Sequence, residues 1–239
     1  MAKQIEGSPR MRFEGEVDLV PYNTRSGIAT FSKPTTESDN ALEDALHGET
    51  AVNPSFREAW NAAGQSSRLS NLVQKYKAIL KSSEIKLIMA YTHGGITGFF
   101  SELNGDFRQN ALTGGRFPNA KRILRNALIE LGKFQKKEGK KLPDVLYRWE
   151  PSFLAKKYND KKDRELHLNM FTSTSLGKSC NFNPQNNMLV EFVAPETGAF
   201  IRDFSFIPDE DEVLLPPLHG KIKVIKARSD ESIFKGPFL

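Results

Sequence analysis

Cysteine occurs once in 239 residues, at Cys180, so an internal disulfide framework is impossible and the chain suits a reducing compartment. Histidine is nearly as scarce. His47, His93, His167 and His219 lie far apart, with no i, i+4 pair and no H-E-x-x-H spacing, so no metal is expected. No stretch approaches the roughly 18 consecutive apolar residues of a membrane span, and the start MAKQIEGSPR lacks the apolar centre of a secretory signal. A soluble protein without a Sec-type leader is expected. Neither a G-x-S-x-G elbow nor a cysteine–histidine pattern points to acyl transfer. Gly177-Lys178-Ser179 ends like a phosphate-binding P-loop, but Thr172 stands where the first required glycine belongs.

What is present is an apolar content of 38%, enough for one respectable core with room for a small appendage. The net charge is +5 and the pI near 9.2, which suits an acidic or phosphate-bearing partner only in a general way. Much of the excess sits in KFQKKEGKK, where Lys133, Lys136, Lys137, Lys140 and Lys141 read as a solvated helix end favoured by the helix dipole. No nucleic-acid motif accompanies the run, so a nucleic-acid partner is not expected.

Residues 1–40 are rich in Gly, Pro, Ser and Thr and read as a loosely packed lead. Beyond them Ala41, Leu42, Ala45 and Leu46, then Phe56, Ala59, Trp60 and Ala63, then Leu69, Leu72, Val73, Tyr76 and Ile79 recur at helical steps. Asn53 before Pro54, and Ser66 or Ser67, are the expected N-terminal caps. Further helices are predicted over 85–100, with Gly94, Gly95 and Gly98 in its second half, and over 119–136. After Pro143 the texture becomes strand-like, with candidates at 145–149, 167–173, 188–193, 199–202, 212–215 and 221–228. Helices first and strands afterwards indicate an α+β fold, with a lead plus helical region over residues 1–80 preceding 81–239.

Three short segments at strand ends could carry chemistry: Leu146-Tyr147-Arg148-Trp149, Phe171-Thr172-Ser173-Thr174-Ser175, and Asp209-Glu210-Asp211-Glu212 before an apolar Val213-Leu214-Leu215. Singly, each has an ordinary explanation: an ion-paired arginine, strand hydroxyls, a solvated acidic loop. The last is more telling, because side chains two apart in an extended chain share a face, so Glu210 and Glu212 can address one cleft while Asp211 points away.

The order Arg, Ser-Thr-Ser, Glu-x-Glu resembles the signature of the R-S-E mono-ADP-ribosyltransferases, a group of bacterial toxins and effectors and vertebrate ectoenzymes. Ile88, Tyr91 and Thr92, followed by Leu103-Asn104 and Phe107-Arg108, are similar to the helical run preceding the family's arginine strand. Phe182 stands where many members carry an aromatic that packs on nicotinamide. Trp149 departs from a position often occupied by glycine, and no arginine follows Phe182 in Asn183-Pro184-Gln185.

The resemblance covers residues 81–239, which it implies to be the catalytic domain, and implies two packed, mostly antiparallel sheets with flanking helices, and NAD+ as co-substrate. It assigns Glu212 to stabilisation of the ribosyl cation, Ser173 to holding Glu212, Arg148 to the pyrophosphate, and Glu210 to an acceptor arginine. Trp149, Thr174, Ser175 and Phe182 complete the expected NAD+ wall, Thr174 and Ser175 chiefly supporting strand and cleft. The implied setting is a bacterial effector or toxin secreted into the host cell cytoplasm, acting on a host protein. The competing reading is a binding module that keeps the fold without turnover.

Overall fold

The computed structural model of the chain describes residues 19–21, 36–110, 114–152, 160, 165–177, 187–193, 198–206, 211–217 and 222–228. Among the described residues, six helices come first after a short strand: β1 (Leu19–Pro21), α1 (Asp39–Val52), α2 (Pro54–Gln65), α3 (Leu69–Tyr76), α4 (Ser82–Thr97), α5 (Phe99–Asn110) and α6 (Pro118–Lys137). Seven strands follow: β2 (Val145–Pro151), β3 (Glu165–Leu168), β4 (Thr172–Ser175), β5 (Asn187–Val193), β6 (Ala199–Phe200), β7 (Glu212–Leu215) and β8 (Ile222–Arg228).

The helices form where three- and four-residue spacing gathers apolar side chains on one face. Leu42 and Leu46 of α1, Phe56, Ala59, Trp60 and Ala63 of α2, and Ile123, Leu124, Ala127, Leu128 and Leu131 of α6 are all buried. Caps come largely from elsewhere in the molecule. Ser38 accepts the Ala41 N–H at 3.2 Å, but Asn53, expected to cap α2, makes no side-chain cap bond. Its amide instead donates to the Glu49 carbonyl and its oxygen accepts from Arg116. At α3 the cap position falls to Arg68 rather than a serine. The Glu49 carboxylate reaches from α1 to accept the Asn119 and Ala120 N–H groups, satisfying orphan donors at the start of α6.

The helix expected over 85–100 ends at Gly98, whose φ of +79° is a left-handed conformation natural to glycine. A separate helix, α5, starts immediately after it. Strand β1 is a further departure, since it lies within the lead expected to be loosely packed and pairs antiparallel with β3.

The strands hydrogen-bond in the order β1-β3-β8-β5-β2-β4-β7-β6, every pairing antiparallel. Between β2 and β4 the ladder narrows to one matched pair, Tyr147 with Ser175. The order therefore divides into a five-strand part and a three-strand part, as the two-sheet expectation requires. Leu146, Met188, Val190 and Phe192 from the larger part pack with Val213 and Leu215 from the smaller, filling the space between them. On the opposite face of the smaller part, Ala199 and Leu214 join Phe171, Ile201, Phe204 and the helices. Alternation along β7 thus serves two cores, Leu214 facing the helices and its neighbours facing the other strands. The helical core includes side chains from α1 and α2 as well as α4, α5 and α6, so the expected boundary near residue 80 falls inside one core.

Candidate active site

The β4–β7 register sets Ser175 opposite Glu212 and Ser173 opposite Leu214. Because directly opposed residues share a face, Ser173, Ser175 and Glu212 lie on the helix-facing side with Leu214. Thr172 and Thr174 lie on the other side and are buried. There the Thr174 hydroxyl donates to the Val213 carbonyl at 2.8 Å, pinning β4 to β7. Ser175 donates to the Gly177 carbonyl at 2.8 Å and the Tyr147 carbonyl at 3.3 Å, tying the same strand to β2.

Arg148 is placed by β2, where Leu146, Arg148 and Glu150 share one face at two-residue spacing. The guanidinium is buried; its Nε donates to the Glu150 carboxylate and its Nη1 donates to the Ser173 carbonyl at 2.8 Å. Two donor groups of the residue assigned to pyrophosphate are therefore committed within the protein. Glu150 was missed in the sequence, although an Arg-x-Glu pair inside a strand is a legible sign of a same-face ion pair. Trp149 is buried in the same strand.

Asn104 on α5 holds the start of β4. Its Oδ1 accepts the Phe171 N–H at 3.1 Å, and its Nδ2 donates to the Phe171 carbonyl and the Tyr91 hydroxyl, each at 3.2 Å. Tyr91, buried on α4, has its pKa raised by burial, with the Glu212 charge adding in the same direction; Asn104, Arg148 and Ser173 oppose the rise. The sequence left Tyr91 and Asn104 evenly balanced between supporting the cleft and a functional role. Arg108 lies one turn further along α5, beside the Met170 sulfur.

The segment leading toward Glu212 is fastened to the helices. Asp203 accepts from the Lys75 ammonium at 2.6 Å and the Tyr76 hydroxyl at 2.7 Å. Arg68 donates to the Ser205 carbonyl at 2.7 Å, Thr92 donates to the Phe204 carbonyl at 3.2 Å, and Arg202 pairs with Asp211 at 2.7 Å. Glu210 and Phe182 lie outside the described residues.

A cleft of about 390 Å³ opens elsewhere, lined by Gly132, Lys136, Lys140, Lys141, Asp144 and Gly198 among others. None of the candidate site residues borders it. The lysine run borders this cleft as well as ending α6. Among the described residues no group of three or more His, Cys, Asp or Glu could hold a metal, and no helix is long and apolar enough to cross a membrane.

Known proteins bear on this arrangement. A glutamate variant of the eukaryotic mono-ADP-ribosyltransferase ART2.2, solved with NAD, is 19% identical, with 89% of this chain and 95% of that chain covered and a TM-score of 0.53. The type III effector XopAI from Xanthomonas axonopodis pv. citri, lacking 70 N-terminal residues, is 18% identical over 84% of this chain and 85% of that chain, with a TM-score of 0.52. At such identities the likeness shows a shared fold. No curated protein matches the chain significantly. The family model of the NAD:arginine ADP-ribosyltransferases matches residues 29–235, spanning the helices, the arginine strand and both strands of the Ser-Thr-Ser and glutamate elements. The chain belongs to that family and uses NAD as co-substrate for ADP-ribosyl transfer.

Proposed function

We propose that this protein breaks the bond between nicotinamide and ribose in NAD+ and transfers ADP-ribose to an arginine side chain of a host protein, with Glu212 as the catalytic carboxylate. The observation that carries the reading is the strand register. It sets Glu212 beside Ser175 on β4, while Arg148 bonds the carbonyl of Ser173 on the same strand.

The chemistry follows from charge. As the C1–N bond breaks, its electron pair leaves with neutral nicotinamide and positive charge gathers on C1 and the ring oxygen, as in glycoside cleavage. Glu212 stabilises that charge and accepts a hydrogen bond from the ribose 2′-hydroxyl. Ser173 holds the Glu212 carboxylate. Arg148 supplies positive charge to the pyrophosphate and also aligns β2 on β4 through the Ser173 carbonyl. Phe182 stacks on nicotinamide, while Trp149, Thr174 and Ser175 support the wall behind it. Glu210 orients the acceptor guanidinium and takes its proton as nitrogen attacks C1. Without an acceptor, water takes that place and the products are free ADP-ribose and nicotinamide.

The host setting has two supports. The single cysteine suits a reducing cytosol, and XopAI, a type III effector, shares the fold. The test is transfer of labelled ADP-ribose from NAD+ into a cell lysate by the unmutated chain, Glu212→Ala and Glu210→Ala. Expected are protein label released by neutral hydroxylamine, a loss of about 10²- to 10³-fold in Glu212→Ala, and retained nicotinamide release with lost protein label in Glu210→Ala. Hydroxylamine-resistant label would overturn arginine as acceptor. An unmutated chain that neither labels protein nor releases nicotinamide would overturn the whole reading.

A further inference from the structure

We propose that the cleft at the C-terminal end of α6 is a docking site for an acidic segment of the acceptor protein, its lysines taking carboxylates and its wall taking an apolar side chain between them. The inference rests on the reading of the chain as a protein-modifying transferase made above, and adds to it a surface that selects the acceptor.

The shape of the cleft is set by backbone. The turn that ends α6 is closed by three bonds, in which the Glu138 N–H donates to the Phe134 carbonyl at 3.0 Å, Gly139 to Lys136 at 3.2 Å and Lys140 to Gln135 at 2.9 Å. Gly139, at φ +83°, takes the left-handed conformation of such a helix end. On the other side α6 presses on the start of β6 so closely that a Cβ on Gly132 would lie 2.5 Å from the Gly198 carbonyl oxygen. The backbone that bears the lysines is therefore fixed before a partner arrives, which lowers the ordering cost of binding. The edge of β6 is also closed. Gln135 donates to the Phe200 carbonyl at 2.8 Å and accepts the Phe200 N–H at 2.9 Å, so no partner strand can pair there and recognition falls to side chains.

Both charge and apolar surface stand open at this place. Lys136, Lys140 and Lys141 border the cleft against a single acid, Asp144. None of the three lysines makes an ion pair among the described residues, whereas Lys133, which does not border the cleft, is paired with Glu130 at 2.7 Å. The helix dipole accounts for a cation in the last turn, but Lys140 and Lys141 lie beyond the cap at Glu138. Val193, in the same lining, is 39% exposed, one of three large apolar side chains so exposed among the described residues. Leu142 and Pro143 adjoin it in the lining. A bare phosphate would use the lysines and leave this wall wet. An acidic segment with one apolar residue uses both, in the arrangement of apolar centre and charged rim common to protein interfaces.

The cleft is also joined to the catalytic strand. Phe200, which borders it, opposes Val213, and the N–H of the next residue, Ile201, donates to the Glu212 carbonyl at 3.1 Å. A protein gripped there stands one strand from the strand that carries Glu212, while the described residues assigned to NAD+ do not border the cleft.

The test compares two double reversals of equal charge in the full chain, Lys140→Glu/Lys141→Glu at the cleft and Lys133→Glu/Lys137→Glu in the same lysine run outside it, with thermal melting of each. Protein label from a lysate is expected to fall about tenfold in the first and less than about twofold in the second, with nicotinamide release unchanged within about twofold in both. A fluorescein-labelled Glu-Glu-Leu-Glu-Glu peptide, followed by anisotropy, is expected to bind the unmutated chain with a Kd below about 1 mM. Binding should weaken about tenfold when serine replaces the leucine, and about tenfold in Lys140→Glu/Lys141→Glu.

Equal loss of protein label in the two doubles, undiminished label in the first, or no peptide binding up to about 1 mM overturns this inference and leaves Glu212 in place. So does tighter binding of a single-stranded oligonucleotide than of the peptide, which would make the cleft a nucleic-acid site. An unmutated chain that releases nicotinamide but labels no protein overturns transfer to protein and this inference with it, and one that does neither overturns the catalytic reading as well.

Discussion

Lys121 and Asp106 meet at 2.8 Å with side chains 0% and 5% exposed, and Arg148 and Glu150 meet with side chains 5% and 0% exposed, yet the two pairs join different things. Asp106 also accepts from Asn110 and from the Arg116 and Phe117 N–H groups, while Lys121 donates to the Gly114 carbonyl. All of these partners belong to α5, α6 or the connection between them. Gly115 sits at φ +75° in that connection, and a Cβ there would lie 2.1 Å from the Asp106 carboxylate. The first pair therefore closes a turn of the scaffold. The second lies within one strand and reaches across to the Ser173 carbonyl on β4, at the narrowest point of the sheet. Burial and charge are alike; what differs is whether the pair borders the residues assigned to the chemistry.

Breaking the scaffold pair should have the larger effect on stability. Lys121→Met leaves the Asp106 carboxylate buried without its cation, at an expected cost of about 3–5 kcal/mol, read by urea denaturation. Nicotinamide release per folded molecule should stay within about twofold of the unmutated chain. A loss below about 1 kcal/mol would show that the backbone donors alone satisfy Asp106.

Glu150→Gln tests the other member of the comparison. Shape and one acceptor oxygen survive, so the expected stability loss is smaller, about 1–3 kcal/mol. Nicotinamide release should fall about tenfold, the worth of one hydrogen bond's alignment, as Arg148 loses its hold on the Ser173 carbonyl. Lost stability with unchanged release would make Arg148–Glu150 a scaffold pair like the first, and the contrast would collapse.

The same contrast marks what could be read in the sequence. Strand β7 begins at Glu212 as the pattern predicts, and α6 lies within two residues of its predicted span, because both are set by local alternation or helical periodicity. The run 167–173 was expected as one strand but divides into β3 and β4 around residues 169–171. No glycine or proline marks that break; Phe171 is instead gripped by Asn104, 67 positions away. Asn53 fails as a side-chain cap for a similar reason, its amide oxygen being taken by Arg116 from 63 positions away. Strand β1 owes its form to pairing with β3. Periodicity reports which face is buried; it does not report the partner. The motif order singled out Arg148, Ser173 and Glu212, and the resemblance Tyr91 and Asn104, but the partners of all five, Glu150 among them, emerge only once strands and helices meet.

A third ion pair extends the comparison to the solvent-exposed limit and carries the smallest expected effect. Lys75 and Asp203 meet at 2.6 Å with side chains 57% and 38% exposed, and the Tyr76 hydroxyl joins them. Burial works to raise the Asp203 pKa, but hydrogen bonds from Lys75 and Tyr76 outweigh it and hold the carboxyl below its ordinary value. The Tyr76 phenol, pushed up to about 12 by burial first and by Asp203 second, remains a donor throughout. A carboxyl with a depressed folded pKa contributes stability above its unfolded value of about 3.9 and loses it as pH falls through the folded value. Asp203→Asn should therefore cost less than about 1 kcal/mol at pH 7, given the solvent screening of so exposed a pair. The difference between the unmutated chain and the variant should shrink as pH drops below about 4, in thermal melts across an acid series. A difference that persists undiminished to about pH 2 would mean that the carboxylate charge is not what fastens α3 to the segment leading to Glu212.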